Sequence, residues 1–361
     1  MSANFDLSNL ALQAVCPGNE LIYDDKGLPS VMVKIPKMTY ADLGIGTSTK
    51  VHPAFIVNGT EVDAIYISKY QNIVQDGRAY SLPGKDPQCT ITFDTAKSYC
   101  DAKGKGWHLM TRAEWALIAL WCMKNGFLPY GNNDYGKDSR ESARKAIPTL
   151  ISAEGKTQRV ATGTGPLTWS HDGTPSGIWD LNGNVYEWQG GIRTVYGEVQ
   201  VLANNNAADS SHSQAKASAE WVAIDATTGE FITPDGSGTT ANSVKMDYKS
   251  SKCVYSTTLT GQSTTSRSCA FANVTCDETI SDDAKLILYA LGLLPYETTA
   301  SKYEGDYFYW NNGEAERSFN CGGYWYFGAN AGVFFLYGIY ARSFSIIYFG
   351  FRSAYVELPT E

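Results

Sequence analysis

The side chains able to do chemistry in this 361-residue chain are scattered, with one exception. Eight cysteines stand at positions 16, 89, 100, 122, 253, 269, 276 and 321. None forms a Cys-x-x-Cys pair, so neither a zinc ribbon nor a thioredoxin-like motif is expected. Cys100 and Cys122 fall in segments of helical character, where a buried free thiol is the ordinary outcome. Cys253, Cys269 and Cys276 are either bridged or free. The four histidines, His52, His108, His171 and His212, do not cluster, which argues against a histidine metal site. The exception is aromatic. Between Cys321 and Phe351, 12 of 31 residues are Phe, Trp or Tyr, against 13% in the whole chain. The wider stretch Arg317 to Val356 has no Lys, Glu, Gln, Met, Asp, His, Pro or Thr. Strict alternation fails at Tyr324-Trp-Tyr-Phe327 and Ile346-Ile-Tyr-Phe349, so these runs cannot all point inward from a half-buried sheet. A fully buried central strand is the structural alternative. An exposed aromatic patch is the functional one, and such patches mark recognition sites. Tyrosine suits that task because a rigid ring gives contact area at small entropic cost.

The rest of the chain must position that segment. Its length allows two or three domains or one large elaborated one, and 43% hydrophobic residues suffice for a sizeable core. The net charge of −8 disfavours nucleic acid, which needs a basic stripe to neutralise phosphates. No run of 18 apolar residues exists, so no membrane insertion is expected. Met1 to Val15 has neither a basic n-region nor an apolar h-region, so no standard secretory signal is expected. Residues 1–29 read as a leader with one amphipathic stretch, Leu7 to Val15. Alternation predicts strands at Ser30–Pro36 and Val62–Ser68. A helix is predicted over Thr95–Ala102, closed by Gly104. A second begins at the capping box Thr111-Arg-Ala-Glu114, with Trp115, Ile118, Ala119 and Cys122 on one apolar face and Asn125-Gly126 at its end. Residues 127–180 read as loop-rich. Residues 190–280 read as an elaborated insertion rich in Ser, Thr, Ala and Asn, with a strand at Gly197–Leu202. A third helix is predicted at Asp282–Leu291, capped by Ser281 and closed by Gly292.

The stretch Gly322 to Ala354 resembles the variable region of diversity-generating retroelement variable proteins. In that family a reverse transcriptase copies a template and mutates its adenines, so that Asn codons become many residues but not Lys, Glu, Gln, Met or Trp. The fixed framework is similar to Gly322, Gly323, Trp325, Gly328-Ala-Asn-Ala-Gly332, Ala341-Arg-Ser343 and Gly350-Phe-Arg-Ser-Ala354. The substituted slots correspond here to Tyr324, Tyr326, Phe327, Phe335, Tyr337, Tyr340, Phe344, Ile346, Ile347 and Tyr348, with Gly338 as a further slot. The missing residue types agree with that mechanism. Gly106 to Trp115 resembles the "RLPTEAEWE" helix of formylglycine-generating-enzyme-like domains, Leu181 to Trp188 their "GNVWEW" strand, and Gly350-Phe-Arg352 their terminal "GFR". For Trp115, Glu187 and Trp188 a packing and hydrogen-bonding role is expected.

The resemblance implies an α+β, C-type-lectin-like fold over residues 30–356, with 317–354 as the variable region. It implies a ligand-binding protein, not an enzyme, with an unidentified protein or glycan ligand on a cell surface. It also suggests a place on a phage tail or cell surface, as a homo-oligomer or attached to a virion. Two alternatives come from other classes. The formylglycine-generating enzymes bind copper through a Cys-x4-Cys pair just before Gly-Phe-Arg. Here Cys321 is the only cysteine after residue 276, so that oxidase chemistry is not expected. A calcium-dependent sugar-binding lectin needs six or more oxygens per ion. Gly131-Asn-Asn-Asp134 and Asn182 to Asn184 offer some, but such residues more often serve turns. No cofactor is expected, with calcium the one alternative.

Overall fold

The computed structural model describes residues 6–297 and 299–358. The expected α+β architecture is the one observed, with two main sheets and four α-helices among the described residues. The first sheet has five antiparallel strands in the order Asn19–Tyr23, Pro29–Pro36, Ala64–Ser68, Ser353–Tyr355 and Trp107–Leu109. The end of the chain therefore threads between two early strands, with Ala354 opposite both Ile67 and His108. This closure ties the terminal segment to the domain's own core. It also corrects the reading of residues 1–29 as a leader, because Asn19–Tyr23 pairs residue by residue with the next strand. Before it, helix α1 (Leu7–Val15) is capped by Asp6 and lies with Leu7, Leu10 and Val15 exposed. Asn9 on its inner side accepts a hydrogen bond from the Leu21 amide.

Helix α2 (Phe93–Asp101) starts two residues earlier than predicted, because the Thr92 hydroxyl accepts from the Thr95 amide and acts as its N-cap. Helix α3 (Arg112–Lys124) forms the predicted capping box. Thr111 Oγ1 accepts from the Glu114 amide, and Glu114 Oε2 accepts from the Thr111 amide. Its surroundings differ from expectation. It is buried on every side, including Ala113, Leu117 and Leu120 opposite the predicted face. A helix apolar all round belongs at the centre of a domain, and α3 packs against the strand Tyr186–Val195, the turn Pro53–Phe55 and α4 (Asp282–Ala290).

The second sheet has twelve strands around Tyr186–Val195. That strand pairs antiparallel with Arg317–Cys321 on one side and Glu198–Leu202 on the other. Phe349–Gly350 joins it in parallel beside Tyr186 and Glu187. Residues 190–280, read as an elaborated insertion with one strand, carry more regular structure than that. They supply seven further strands or strand parts to this sheet, and Val244, Met246, Tyr255 and Phe271 enter the main core. In the strand predicted at Gly197–Leu202, all five residues of Glu198–Leu202 are buried, polar ones included. All eight cysteines are free, so Cys253, Cys269 and Cys276 are not bridged.

Candidate functional site

The site is built on the strand Tyr186–Val195, whose first residues alternate between two environments. Glu187 points to a fully buried ion pair. Arg352 Nε donates to Glu187 Oε2 at 2.9 Å and Arg352 Nη2 to Oε1 at 2.8 Å. Two further guanidinium protons go to the carbonyls of Ser68 and Trp179, and Gln71 donates to Glu187 Oε1. A buried pair needs such additional hydrogen bonds to offset its desolvation. The "GNVYEW" and "GFR" segments are thus one structural unit. The asparagines nearby are also spent. Asn132 donates to Asn184 Oδ1, Asn133 to Asn182 Oδ1, and Asn184 to Gln71. Gly183 between them has φ +77, and a Cβ there would lie 2.2 Å from the Asn132 carbonyl. The oxygens considered for calcium serve this turn, and no group of three His, Cys, Asp or Glu able to hold a metal occurs among the described residues.

Tyr186 and Trp188 face the other way, toward the terminal segment. Trp188 Nε1 donates to the Ile91 carbonyl, and Phe349 stacks on both rings at 5.1 Å. Tyr186 is buried, and its phenol is pushed well above the usual range by burial and by neighbouring tyrosines. Around it gather Tyr324, Phe335, Tyr337, Phe327 and Tyr348, with centroids 5.0 to 5.8 Å away.

The eleven slots separate into two sets. Phe335 and Gly338 are buried and Tyr324 is only 6% exposed, so these three do not form the outer face. Phe335 stacks on Tyr186. A Cβ on Gly338 would meet the Phe319 ring at 2.7 Å, so a larger residue there must displace a core side chain. The other eight are brought together at the surface. Tyr326 is 54% and Ile347 44% exposed, while Phe327, Tyr337, Tyr340, Phe344, Ile346 and Tyr348 are half-buried. They lean on each other: Tyr340 and Phe344 stack at 3.8 Å with 3° between planes, and Tyr348 stacks on Tyr324 at 4.3 Å. Burial raises the pKa of the Tyr324, Tyr337 and Tyr348 phenols.

The slot backbone is held without help from slot side chains. The carbonyls of Tyr340, Ile346 and Tyr348 accept from the amides of Ser318, Thr90 and Tyr186. The Ile347 carbonyl accepts from Arg159 Nη1, whose guanidinium also grips Asp86. At the turn before Phe335, Trp115 Nε1 donates to the Val333 carbonyl and the Phe334 amide to Asp306. Arg342 forks onto Asp94 and donates to the Gln214 carbonyl.

Three tyrosines outside the terminal segment join the face and escaped the sequence reading. Tyr135 stacks on Tyr326 at 5.9 Å, with Lys156 Nζ 4.8 Å from its ring. Tyr309 meets Tyr337 at 5.1 Å and Phe327 at 5.6 Å, beside Tyr307. The signal for the last two was the four-residue run Tyr307-Phe-Tyr-Trp310, in which Phe308 and Trp310 are buried and the tyrosines are half-exposed. Cys321 is the one cysteine near the position of the copper pair in the formylglycine-generating enzymes that Gly350-Phe-Arg352 resembles, and it does not fit that chemistry. Its thiol is buried, accepts from Arg112 Nη1 at 2.9 Å and is pushed up to about 12 by burial. One protonated thiol is not a thiolate pair.

Residues 48–225 match the family model described as the sulfatase-modifying factor enzyme 1-like domain, and the fold is C-type-lectin-like as expected. No curated relative matches in sequence at a significant level. Among solved structures, the chain is similar to PvdO from Pseudomonas aeruginosa, with 14% identity and a TM-score of 0.33 over 94% of this chain and 98% of that one. It is similar to Treponema denticola variable protein 1, with 11% identity and a TM-score of 0.33 over 94% and 99% of the two chains. The P3c variant of the major tropism determinant gives 10% identity and a TM-score of 0.29 over 90% and 62%.

Proposed function

We propose that this chain, which carries a sulfatase-modifying factor enzyme 1-like domain, is a retroelement-diversified ligand-binding protein and not an enzyme. Its contact face is the outer aromatic surface of residues 317–354. The observation that carries this reading is the division of labour at the slots. The carbonyls of Tyr340, Ile346, Ile347 and Tyr348 are fixed by framework donors, so the backbone survives exchange of the side chains. Eight of those side chains reach the surface, next to Tyr135 and Tyr309. Binding there rests on apolar burial and aromatic anchors. The flanking arginines are already paired, Arg159 with Asp86 and Arg342 with Asp94, so they add little charge to the face.

The ligand is a protein or glycan on a cell surface, and the chain acts on a phage tail or cell surface, where display in several copies multiplies a modest affinity. No helix among the described residues is long and apolar enough to cross a membrane. The genomic locus tests the class. A reverse-transcriptase gene and a near-copy of the 317–354 coding segment should lie nearby, differing at template adenines in the codons of the surface slots. A locus with neither sinks the retroelement reading.

A further inference from the structure

Residues 190–280 hold a second concave surface that the aromatic face does not use. An open groove of about 670 Å³ lies between the hairpin turn at Tyr196, the loop 237–242 and the loop 257–262. That volume is in the range of small-ligand sites, roughly 300–1,000 Å³. None of its lining residues belongs to 317–354.

The polar groups of this groove sort into spent and free. Lys245 is spent, because its ammonium donates to the carbonyls of Thr240, Ser243 and Thr257 and to the Ser243 hydroxyl. The Asp235 carboxylate beneath the loop accepts from the Ser237 amide and the Thr239 hydroxyl. The Gln262 amide nitrogen donates to the carbonyls of Tyr196 and Asn312, which leaves its oxygen free. The hydroxyls of Ser237, Thr257 and Thr258 make no hydrogen bond among the described residues, although all three line the groove. What the groove offers is therefore neutral: hydroxyls and an amide oxygen, with its charges already engaged.

Tyr196 adds an aromatic wall at a cost in backbone strain. It links the strands ending at Val195 and beginning at Glu198 through a two-residue turn. Tyr196 has φ +46 and Gly197 φ +89. A turn with two positive φ values is built for Asn-Gly or Asp-Gly, and a bulky residue in its first place is an outlier. Strain retained in this way is a pointer to function. The ring is also 38% exposed, although it lines the groove.

We propose that this groove binds a neutral oligosaccharide, with Tyr196 packing on the C–H face of a sugar ring and Ser237, Thr257, Thr258 and Gln262 meeting its hydroxyls. Sugar hydroxyls both donate and accept, which matches side chains of the same kind. An acidic glycan or a charged peptide would bring charges that the groove has nothing free to answer. Carboxylates are not needed, so calcium is not needed either. The site is separate from the aromatic face and does not rest on the reading of that face.

The test is a solution titration of the full chain with maltotriose, cellotriose and triacetylchitotriose in the presence of a chelator. At least one should bind with a dissociation constant of about 1 mM or tighter, a free energy of roughly 4 kcal/mol. High salt should not weaken it. Tyr196→Asn removes the ring but suits the turn, so it should lower affinity at least tenfold while the melting temperature holds or rises. Tyr326→Ser should leave sugar binding unchanged. Failure of all three sugars overturns the proposal, as does undiminished binding by Tyr196→Asn. Loss of sugar binding in Tyr326→Ser would place the sugar on the aromatic face and also overturn it.

Discussion

Two populations of side chains share the single stretch of backbone from 317 to 354. Cys321, Phe335, Phe349 and Arg352 are buried, and each meets a partner from elsewhere in the chain: Arg112, Tyr186, Trp188 and Glu187 respectively. Tyr340 and Phe344 stack on each other, Tyr326 lies against the outer ring of Tyr135, and Ile347 is 44% exposed. The difference shows that fold and recognition are separated residue by residue, not segment by segment. A surface can then be rewritten without rewriting the fold, provided the exchange stays within the second population.

The strongest way to break this comparison is through its arginines. Arg352→Ala leaves Glu187 charged, buried and unpaired, and should cost about 3–5 kcal/mol in urea unfolding. Arg342→Ala removes the fork onto Asp94, whose side chain is 60% exposed, and a longer contact to Glu316, which keeps Arg193, so it should cost less, about 1–2 kcal/mol. Equal costs would show that the terminal segment is one uniform unit. Next comes Phe335, a slot by sequence and a core residue by position. Phe335→Ala should cost about 3 kcal/mol or more through the cavity it leaves beside Tyr186. A neutral result would return Phe335 to the variable face.

A pH-dependent effect should come from the turn before Phe335. Asp306 is buried and accepts from the Phe334 amide, and burial pushes its pKa up to about 7 from 3.8. A group whose folded pKa is raised contributes stability that is full below the unfolded value and is lost as pH rises through the folded one. Unfolding free energy should therefore fall between about pH 4 and 7 on this account. Asp306→Asn should flatten that slope, and an unchanged slope would remove Asp306 from the explanation. Gly338→Ala should cost about 1–3 kcal/mol, because its methyl meets the Phe319 ring.

These positions also mark what was legible in the sequence. The capping box at Thr111 and Glu114 was legible because both partners lie within one turn. The slot pattern was legible as a pattern, from its resemblance to a family. Which slots reach solvent was not, since the burial of Phe335 and Gly338 depends on Tyr186 and Phe319, and no local signal couples them. The same reason hid most of the strands in residues 190–280. Beyond the predicted strand at Gly197–Leu202, their Ser- and Thr-rich stretches look like loops until Lys245–Lys249 and Lys252–Ser256 pair with each other. Helix α3 misled in the opposite direction: one apolar face was visible, while the partners of its other faces come from α4 and the sheets.

The smallest expected change in stability belongs to the outermost slots, and it carries the largest consequence for function. Tyr326→Ser and Ile347→Ser touch side chains that are 54% and 44% exposed, so each should shift unfolding free energy by less than about 0.5 kcal/mol. Tyr337 and Tyr348 are half-buried against Tyr186, so the same exchange there should cost more. Binding to intact host or target cells should fall at least tenfold in the Tyr326 variant, about 1.4 kcal/mol for an aromatic anchor at the contact. Measured together, these two numbers decide the matter. Lost binding with retained stability belongs to a contact residue, whereas lost stability would move Tyr326 into the framework and leave Ile347 as the most exposed slot of the face.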